Sequence, residues 1–160
     1  MALRAVVDAN VLISGLLSPD GAPARVVAAA LGVRRNPAPD KLARAGLGPG
    51  RGHPLFTMVM CPLLVEETRH ALLSPKLSGR VSLRQVERYI RLLETYGLVL
   101  PNPTTGSRFS RDPDDDYLVA LVYEAGADAL VTGDRSLLEA ASGVITALSP
   151  AEFARQPGGL

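Results

Sequence analysis

The sequence predicts an α/β fold of three layers, in which helices cover both faces of a central parallel sheet. Short, strongly apolar segments alternate with helical segments along the chain, which is typical of repeated strand–helix units. The apolar segments lack the alternation of a sheet with one face in water, which favours parallel strands buried on both sides. With 160 residues, 47% of them hydrophobic, the chain suits a single globular domain over residues 1–160.

The first half of the chain contains two predicted strands and three predicted helices. The segment LRAVVDANVL is a strand that ends near Asp8 and turns into a helix, which continues through APARVVAAALG and stops at Gly32. PLFTMVMCP is the second strand, and Pro62 lies at the tolerated first position of the next helix. Ser82 and Gln85 form a capping box that begins the amphipathic helix SLRQVERYIRLLETYG.

The second half keeps the alternation with shorter segments. The predicted strands are LVLP, ADALVTGD and GVITAL, and the predicted helices are PDDDYLVALVYEAG and RSLLEAA. Ser149 and Glu152 form a second capping box before a final helical turn. An insertion at about 32–54 interrupts the pattern, since nine of its 23 residues are Gly or Pro and it carries five basic residues and one acidic residue. Connections of this length are either functional or disordered.

Charge and cysteine content exclude several classes of protein. The net charge of +1 gives no overall field that would by itself indicate nucleic-acid binding. Cys61 is the only cysteine, which excludes an intrachain disulfide and fits a reducing cytosol, so a cytoplasmic protein is expected. No apolar run reaches the ~18 residues of a spanning helix, so no membrane association is expected.

Acidic residues gather at the predicted carboxyl edge of the sheet. Asp8 and Asp134 end predicted strands, and the cluster at 114–116 opens a helix on the same edge. Carboxylates this close repel and raise each other's pKa values, and a hard divalent cation among them removes the conflict. The pattern therefore indicates a site for Mg²⁺ or Mn²⁺.

Helical periodicity ranks these acids. On the helix PLLVEETRHALLS, Glu67 borders the apolar stripe and Glu66 lies nearly opposite it, so Glu67 is the candidate and Glu66 is expected in solvent. On the later helix, Asp115 lies beside the apolar stripe and Asp116 lies nearly opposite, which favours Asp115. Simpler roles stay open for each of these acids. Asp112, Asp114 and Asp116 could be helix-start residues that the helix dipole favours. Asp8 could belong to a turn or a helix cap, Asp134 could cap a helix, and Glu67 could be a surface charge.

Three motifs, taken in order, resemble a PIN domain. They are Asp8-Ala9-Asn10-Val11-Leu12, then LLVEETRHALLSPKL, then DPDDDYLVALVYEAGADALVTGD. The chain is especially similar to the branch of VapC-like ribonucleases, the toxin components of toxin–antitoxin systems, from Arg4 to about Phe153. The resemblance implies a Rossmann-like PIN fold and a metal-dependent endoribonuclease that cleaves single-stranded or structured RNA. The implied catalytic acids occupy four positions: Asp8, Glu67, either Asp115 or Asp116, and Asp134. Asn10 and Thr132 are the implied supporting polar residues.

The resemblance also implies cofactors and partners. Mg²⁺ or Mn²⁺ would bind Asp8, Asp134 and either Asp115 or Asp116, while Glu67 would orient or deprotonate the attacking water. The implied partners are an RNA substrate and a small antitoxin protein, and a homodimer is allowed. Ala9 stands where the family often has a hydroxyl residue, so a catalytically weak RNA-binding or protein-interaction module is the alternative. The basic residues nearest the acids, which are candidates for holding RNA, are Arg111 and Arg135.

Other chemistry fits the sequence less well. RNA cleavage without metal would need a pair of converging histidines, and nothing in the sequence brings His53 and His70 together. A phosphate-accepting signalling domain would need a lysine at the end of a late strand, where neither Lys41 nor Lys76 lies. An aspartate phosphatase would need a second aspartate at the position of Asn10. These three classes are therefore disfavoured.

Overall fold

The structure, a computed structural model, describes residues 3–33, 53–104 and 116–156. Residues 34–52 and 105–115 lie outside the described ranges, and with them most of the predicted insertion, Arg111 and Asp115. Five strands lie within the described ranges: β1 (Arg4–Val7), β2 (Thr57–Met60), β3 (Leu98–Val99), β4 (Ala129–Val131) and β5 (Ala147–Leu148). The same ranges contain α1 (Ala9–Leu17), α2 (Ala22–Leu31), α3 (Pro62–Leu72), α4 (Leu83–Tyr96), α5 (Asp116–Ala125), α6 (Arg135–Ala141) and α7 (Pro150–Ala154).

The five strands form one sheet in the order β3-β2-β1-β4-β5, and all of its pairings are parallel. Val6 of the central strand pairs with Val59 on one side and with Leu130 on the other. Ala5, Val6 and Val7 are fully buried, because helices cover both faces of the sheet. The predicted α/β fold with a central parallel sheet flanked by helices is confirmed.

The helix caps that the sequence predicted are present in the structure. In the first capping box, the Ser82 hydroxyl accepts from the Gln85 amide at 3.2 Å, and the Ser82 amide donates to the Gln85 side chain at 2.8 Å. Ser149 and Glu152 make the same reciprocal pair at the start of α7. Gly32 ends α2 with a φ of 68°, in the left-handed region that favours glycine. These caps satisfy backbone groups that a helix end leaves without partners.

The continuous helix expected after β1 is instead two helices that fold back on each other. Pro19 disfavours helical geometry in the residue before it, and Ser18 accordingly has φ −128° and ψ 83°. The two helices then pack closely at Gly15, where an added Cβ would lie 2.9 Å from the Cγ2 atom of Val27. The break therefore lets α1 and α2 share an interface that a single straight helix could not form.

Helix α5 corrects one expectation from the helical wheel. Asp116 is its first described residue and is only 6% exposed, so its expected position away from the buried face is wrong. The wheel assumes one solvent face, whereas eight of the ten residues of α5 are buried. The helix packs against both β1 and β4, and the residues of its first turn, 116–119, are all buried. The choice between Asp115 and Asp116 as the main ligand stays a prediction, because Asp115 lies outside the described residues.

None of the described helices has the length and apolar content needed to cross a bilayer.

Candidate active site

The strand order reverses between β1 and β4, and this reversal places a crevice at their carboxyl ends. The chain adds β2 and β3 on one side of β1, then β4 and β5 on the other. Ligands of open parallel sheets bind at such a switch point. Asp8 follows β1 directly, and its backbone amide donates to the carbonyl of Val131, the last residue of β4, at 2.9 Å. The topology thus sets Asp8 beside the loop that carries Thr132 and Asp134.

The Asp8 carboxylate is the centre of a hydrogen-bond network. Its Oδ2 atom accepts from Thr132 Oγ1 at 2.7 Å and from Asn10 Nδ2 at 3.1 Å. Asn10 Oδ1 accepts from the Gly133 amide at 3.1 Å, and Thr132 Oγ1 accepts from the Asp134 amide at 3.1 Å. The network ties the start of α1 to the loop after β4. Asn10 and Thr132 therefore orient Asp8 and also hold the backbone of the loop that presents Asp134.

Asp134 caps the helix that follows it, as one of the open interpretations expected. Its Oδ1 atom accepts from the Ser136 amide at 2.9 Å and from the Leu137 amide at 3.4 Å. Because a carboxylate offers several lone pairs on two oxygens, this cap and a ligand role are compatible. The cap fixes the orientation of the half-buried carboxylate toward the switch point.

The electrostatics of this pair suit a cation. Burial raises the pKa of Asp8, the hydrogen bond from Thr132 lowers it, and the negative charge of Asp134 raises it again. Within the described ranges, no Lys, Arg or His forms an ion pair with Asp8 or Asp134. A buried carboxylate beside a second one is costly without a compensating charge. Carboxylate oxygens are the ligands that Mg²⁺ prefers, so these residues fit a hard divalent cation.

The complete ligand set reaches beyond the residues that the structure describes. Among the described residues, no three His, Cys, Asp or Glu side chains form a group that could hold a metal ion. The predicted ligand Asp115 lies outside those residues. Asp116 is buried at the start of α5, the helix that packs against both strands leading to Asp8 and Asp134. Asp8 and Asp134 are thus the described residues that would hold a cation, and the third carboxylate, from Asp115 or Asp116, stays a prediction.

The two neighbouring glutamates of α3 have different surroundings. Glu66 pairs with Arg69 on the helix surface, and Arg69 also donates to Glu87 at 3.1 Å. Glu67 instead accepts a hydrogen bond from the hydroxyl of Tyr117, on α5. Both side chains are exposed, as expected for Glu66, so their partners rather than their burial distinguish them, and the catalytic role of Glu67 stays a prediction.

Tyr117 is the site residue that sequence analysis missed. It is 7% exposed, and its hydroxyl donates to Glu67 Oε2 across the gap between α5 and α3. Burial raises the pKa of Tyr117 first of all, and the hydrogen bond to Glu67 and the charges of Glu67 and Asp8 raise it further. The hydroxyl therefore stays a neutral donor. The available signal was a tyrosine in the first turn of a mostly apolar helix, directly after the acidic cluster.

The other candidate residues from the sequence are Arg135, His53, His70 and Cys61. Arg135, at the start of α6, follows Asp134 directly and is exposed, so a phosphate backbone could reach it. His53 and His70 are both exposed, one before β2 and the other near the end of α3. Cys61 is fully buried, and burial raises the pKa of its thiol, so it packs as a core residue.

Comparison with known proteins agrees with this geometry. The family model described as "PIN domain" matches residues 4–136, which include Asp8, Glu67, Asp116 and Asp134. The chain is also 27% identical over 138 residues to the uncharacterized protein MJ1680 of Methanocaldococcus jannaschii, covering 85% of this chain and 74% of that protein. PIN domains are typically nucleases that bind divalent metal ions. With the parallel sheet, the acidic switch point and the family match in agreement, this chain belongs to the PIN domain family.

Proposed function

We propose that this chain is an endoribonuclease that uses Mg²⁺ or Mn²⁺ to cleave single-stranded or structured RNA. The observation that carries the proposal is the buried Asp8 carboxylate, which Asn10 and Thr132 orient beside Asp134 at the switch point of the sheet. A purely structural aspartate at this depth would be expected to pair with a basic side chain, and within the described ranges Asp8 has none. Membership of a nuclease family supports the same chemistry.

Each site residue has a distinct task in this mechanism. When bound, the divalent cation supplies Lewis acidity, which activates water and offsets charge that develops on the scissile phosphate. Asp8 and Asp134 hold the cation, together with a carboxylate from the start of α5. Glu67 orients the attacking water or takes its proton. Asn10 and Thr132 keep Asp8 in the orientation that cation binding requires.

RNA binding needs positive charge around this acidic pocket, because the carboxylates repel the phosphate backbone. Arg135 is exposed immediately after Asp134 and is the described basic residue best placed to contact a phosphate. Arg111 and the five basic residues of the insertion are further candidates from the sequence. A contact of this kind contributes to affinity for any RNA sequence rather than to specificity.

We also propose that this chain is the toxin of a toxin–antitoxin pair in the cytoplasm. The resemblance of its three motifs to toxin ribonucleases supports the assignment. The antitoxin would be a small protein that covers the acidic pocket with basic side chains, because the negative charge of the carboxylates attracts them. Expression of the chain alone should then arrest growth, and expression of the Asp8→Asn variant should not. Equal growth with both proteins would contradict the toxin role.

The chemistry of the cleaved ends tests the nuclease proposal. Attack by water at phosphorus leaves a 5′ phosphate on the downstream fragment and a free 3′ hydroxyl upstream, whereas attack by the RNA's own 2′ hydroxyl leaves a 2′,3′-cyclic phosphate. The carboxylate site, together with a sequence that brings no pair of histidines together, predicts 5′ phosphate ends. The assay incubates end-labelled single-stranded RNA with the protein in Mn²⁺, in Mg²⁺ and in EDTA, and then identifies the ends.

The outcomes of this assay separate the two functional hypotheses. Cleavage in Mn²⁺ or Mg²⁺ with 5′ phosphate ends, and none in EDTA, supports the proposed nuclease. Cyclic phosphate ends would refute the mechanism even if cleavage required metal. Binding of both metal and RNA without any cleavage would instead favour the catalytically weak RNA-binding module. Ala9, at a position where the family often has a hydroxyl residue, is the feature of the sequence that suggests this alternative.

A further inference from the structure

Tyr117 connects two acidic parts of the site that are distant in sequence. It follows Asp116 in the first turn of α5, and its hydroxyl donates to Glu67 Oε2 on α3, 50 residues earlier in the chain. The Tyr117 side chain is 7% exposed, whereas Glu67 is exposed. A ring held by packing therefore anchors the end of a flexible, solvent-facing carboxylate.

We propose that Tyr117 is a positioning residue, whose hydroxyl fixes the Glu67 carboxylate in the acidic site; this assignment rests on the proposed nuclease function. The charges of both Glu67 and Asp8 act on the Tyr117 side chain, so this side chain lies near the aspartate that follows β1 as well as near the glutamate of α3. A glutamate with three rotatable bonds on a helix surface samples many orientations unless a partner holds it. Tyr117 restricts that freedom before substrate binds, which favours a productive orientation of Glu67.

A purely structural role for this bond is less consistent with its location. Glu67 lies on the exposed side of α3, where water would solvate its carboxylate, so the glutamate does not need the tyrosine hydroxyl for its solvation. Tyr89 provides the contrast within the same chain. Its side chain is fully buried, and its hydroxyl donates to the backbone carbonyl of Leu12 rather than to a carboxylate, at 2.7 Å, which joins α4 to α1. Tyr89→Phe is thus a matched control for the loss of a buried tyrosine hydroxyl.

The test is a double-mutant cycle with Tyr117→Phe and Glu67→Ala, measured as kcat and KM for RNA cleavage in Mn²⁺. Tyr117→Phe keeps the ring and removes only the hydroxyl, so the fold is retained. We expect its kcat to fall roughly 10-fold with KM nearly unchanged, since outer-shell partners of metal sites have effects of this size. In the Glu67→Ala background, the same change should alter kcat by no more than about twofold, because the partner is already absent.

Each outcome of the cycle decides the assignment. Tyr89→Phe should retain the parent kcat while its melting temperature falls, which separates positioning from general stability. Parent-like kcat for Tyr117→Phe would overturn the proposal. Losses from Tyr117→Phe and Glu67→Ala that multiply in the double variant would also overturn it, because the tyrosine would then act independently of the glutamate.

A structural measurement keeps the inference testable if the nuclease proposal itself fails. A parent protein that cleaves no RNA would refute the proposed function, and crystal structures of the parent and of Tyr117→Phe would then decide the role of the tyrosine. One ordered Glu67 orientation in the parent, and a displaced or multiply oriented Glu67 in the variant, supports positioning. The same single orientation in both proteins would overturn it.

Discussion

Replacing Asp8 with asparagine is expected to lower Mn²⁺-dependent RNA cleavage by roughly 100-fold or more, since removing one cation ligand costs several kcal/mol of transition-state stabilisation. The substitution preserves shape, and the asparagine carbonyl can still accept the hydrogen bonds that Thr132 and Asn10 donate to Oδ2. The lost activity would therefore report the charge of Asp8 rather than a collapse of the network. The measurement is the initial rate of cleavage of end-labelled RNA at saturating Mn²⁺.

Asp134→Asn is expected to cause a loss of similar size for the same reason. Asparagine is as good a helix cap as aspartate, so the bonds from Ser136 and Leu137 to Oδ1 can be retained. Asp128→Asn is the matched control, because Asp128 lies at the amino end of the same strand, β4, where its Oδ2 accepts from the Arg4 amide at 2.8 Å. Cleavage that survives EDTA and both site variants would come from a contaminating nuclease.

Saturating Mn²⁺ is expected to raise the melting temperature of the parent protein substantially. Binding to the folded state alone adds about 2.7 kcal/mol to the free energy of unfolding at a hundredfold excess over Kd. For a protein of this size, that corresponds to a shift of roughly 5–10 °C. Asp8→Asn should lose most of the shift, which thermal unfolding with and without Mn²⁺ would measure. An equal shift in both proteins would show that the cation binds elsewhere.

The parent and Asp8→Asn proteins, both in EDTA, also test the free-energy cost of burying the Asp8 carboxylate without metal. Because folding raises the pKa of Asp8, its contribution to stability is fully present below the unfolded pKa and is lost as pH rises through the folded pKa. At pH 7 the Asp8→Asn protein should therefore be at least as stable as the parent, and the difference should shrink on acidification toward pH 4. Urea unfolding across this pH range measures it. A parent that is clearly more stable at pH 7 would contradict this assignment of the charge.

Several features of the molecule follow from the sequence because they depend on residues close together in the chain. The capping boxes at Ser82 and Ser149 form between residues three apart. Gly32 adopts the left-handed conformation that ends α2 because it has no side chain. Apolar strands buried on both faces require helices on both sides, which gives the parallel sheet. The helical pattern of α3 likewise predicted the exposure of Glu66.

The same periodicity failed for α5 because the tertiary structure buries that helix on nearly every side. No local pattern says that α5 packs against both β1 and β4, so the burial of Asp116 could not be predicted. The break between α1 and α2 at Pro19 was not predicted for a related reason. The close contact at Gly15 forms only when α2 folds back onto α1, which no local pattern indicates.

The residue types of the site were determined by the sequence, and their contacts were determined only by the fold. The amino-acid order placed Asp8 and Asp134 at strand ends, but the bond between Thr132 and Asp8 joins residues 124 apart. The bond between Tyr117 and Glu67 likewise depends on two helices that approach from different parts of the chain. Hydrogen bonds are directional and short, so these partners are fixed by the packing of sheet and helices. The sequence therefore determined which chemistry is available, and the tertiary structure decided which oxygen atoms meet.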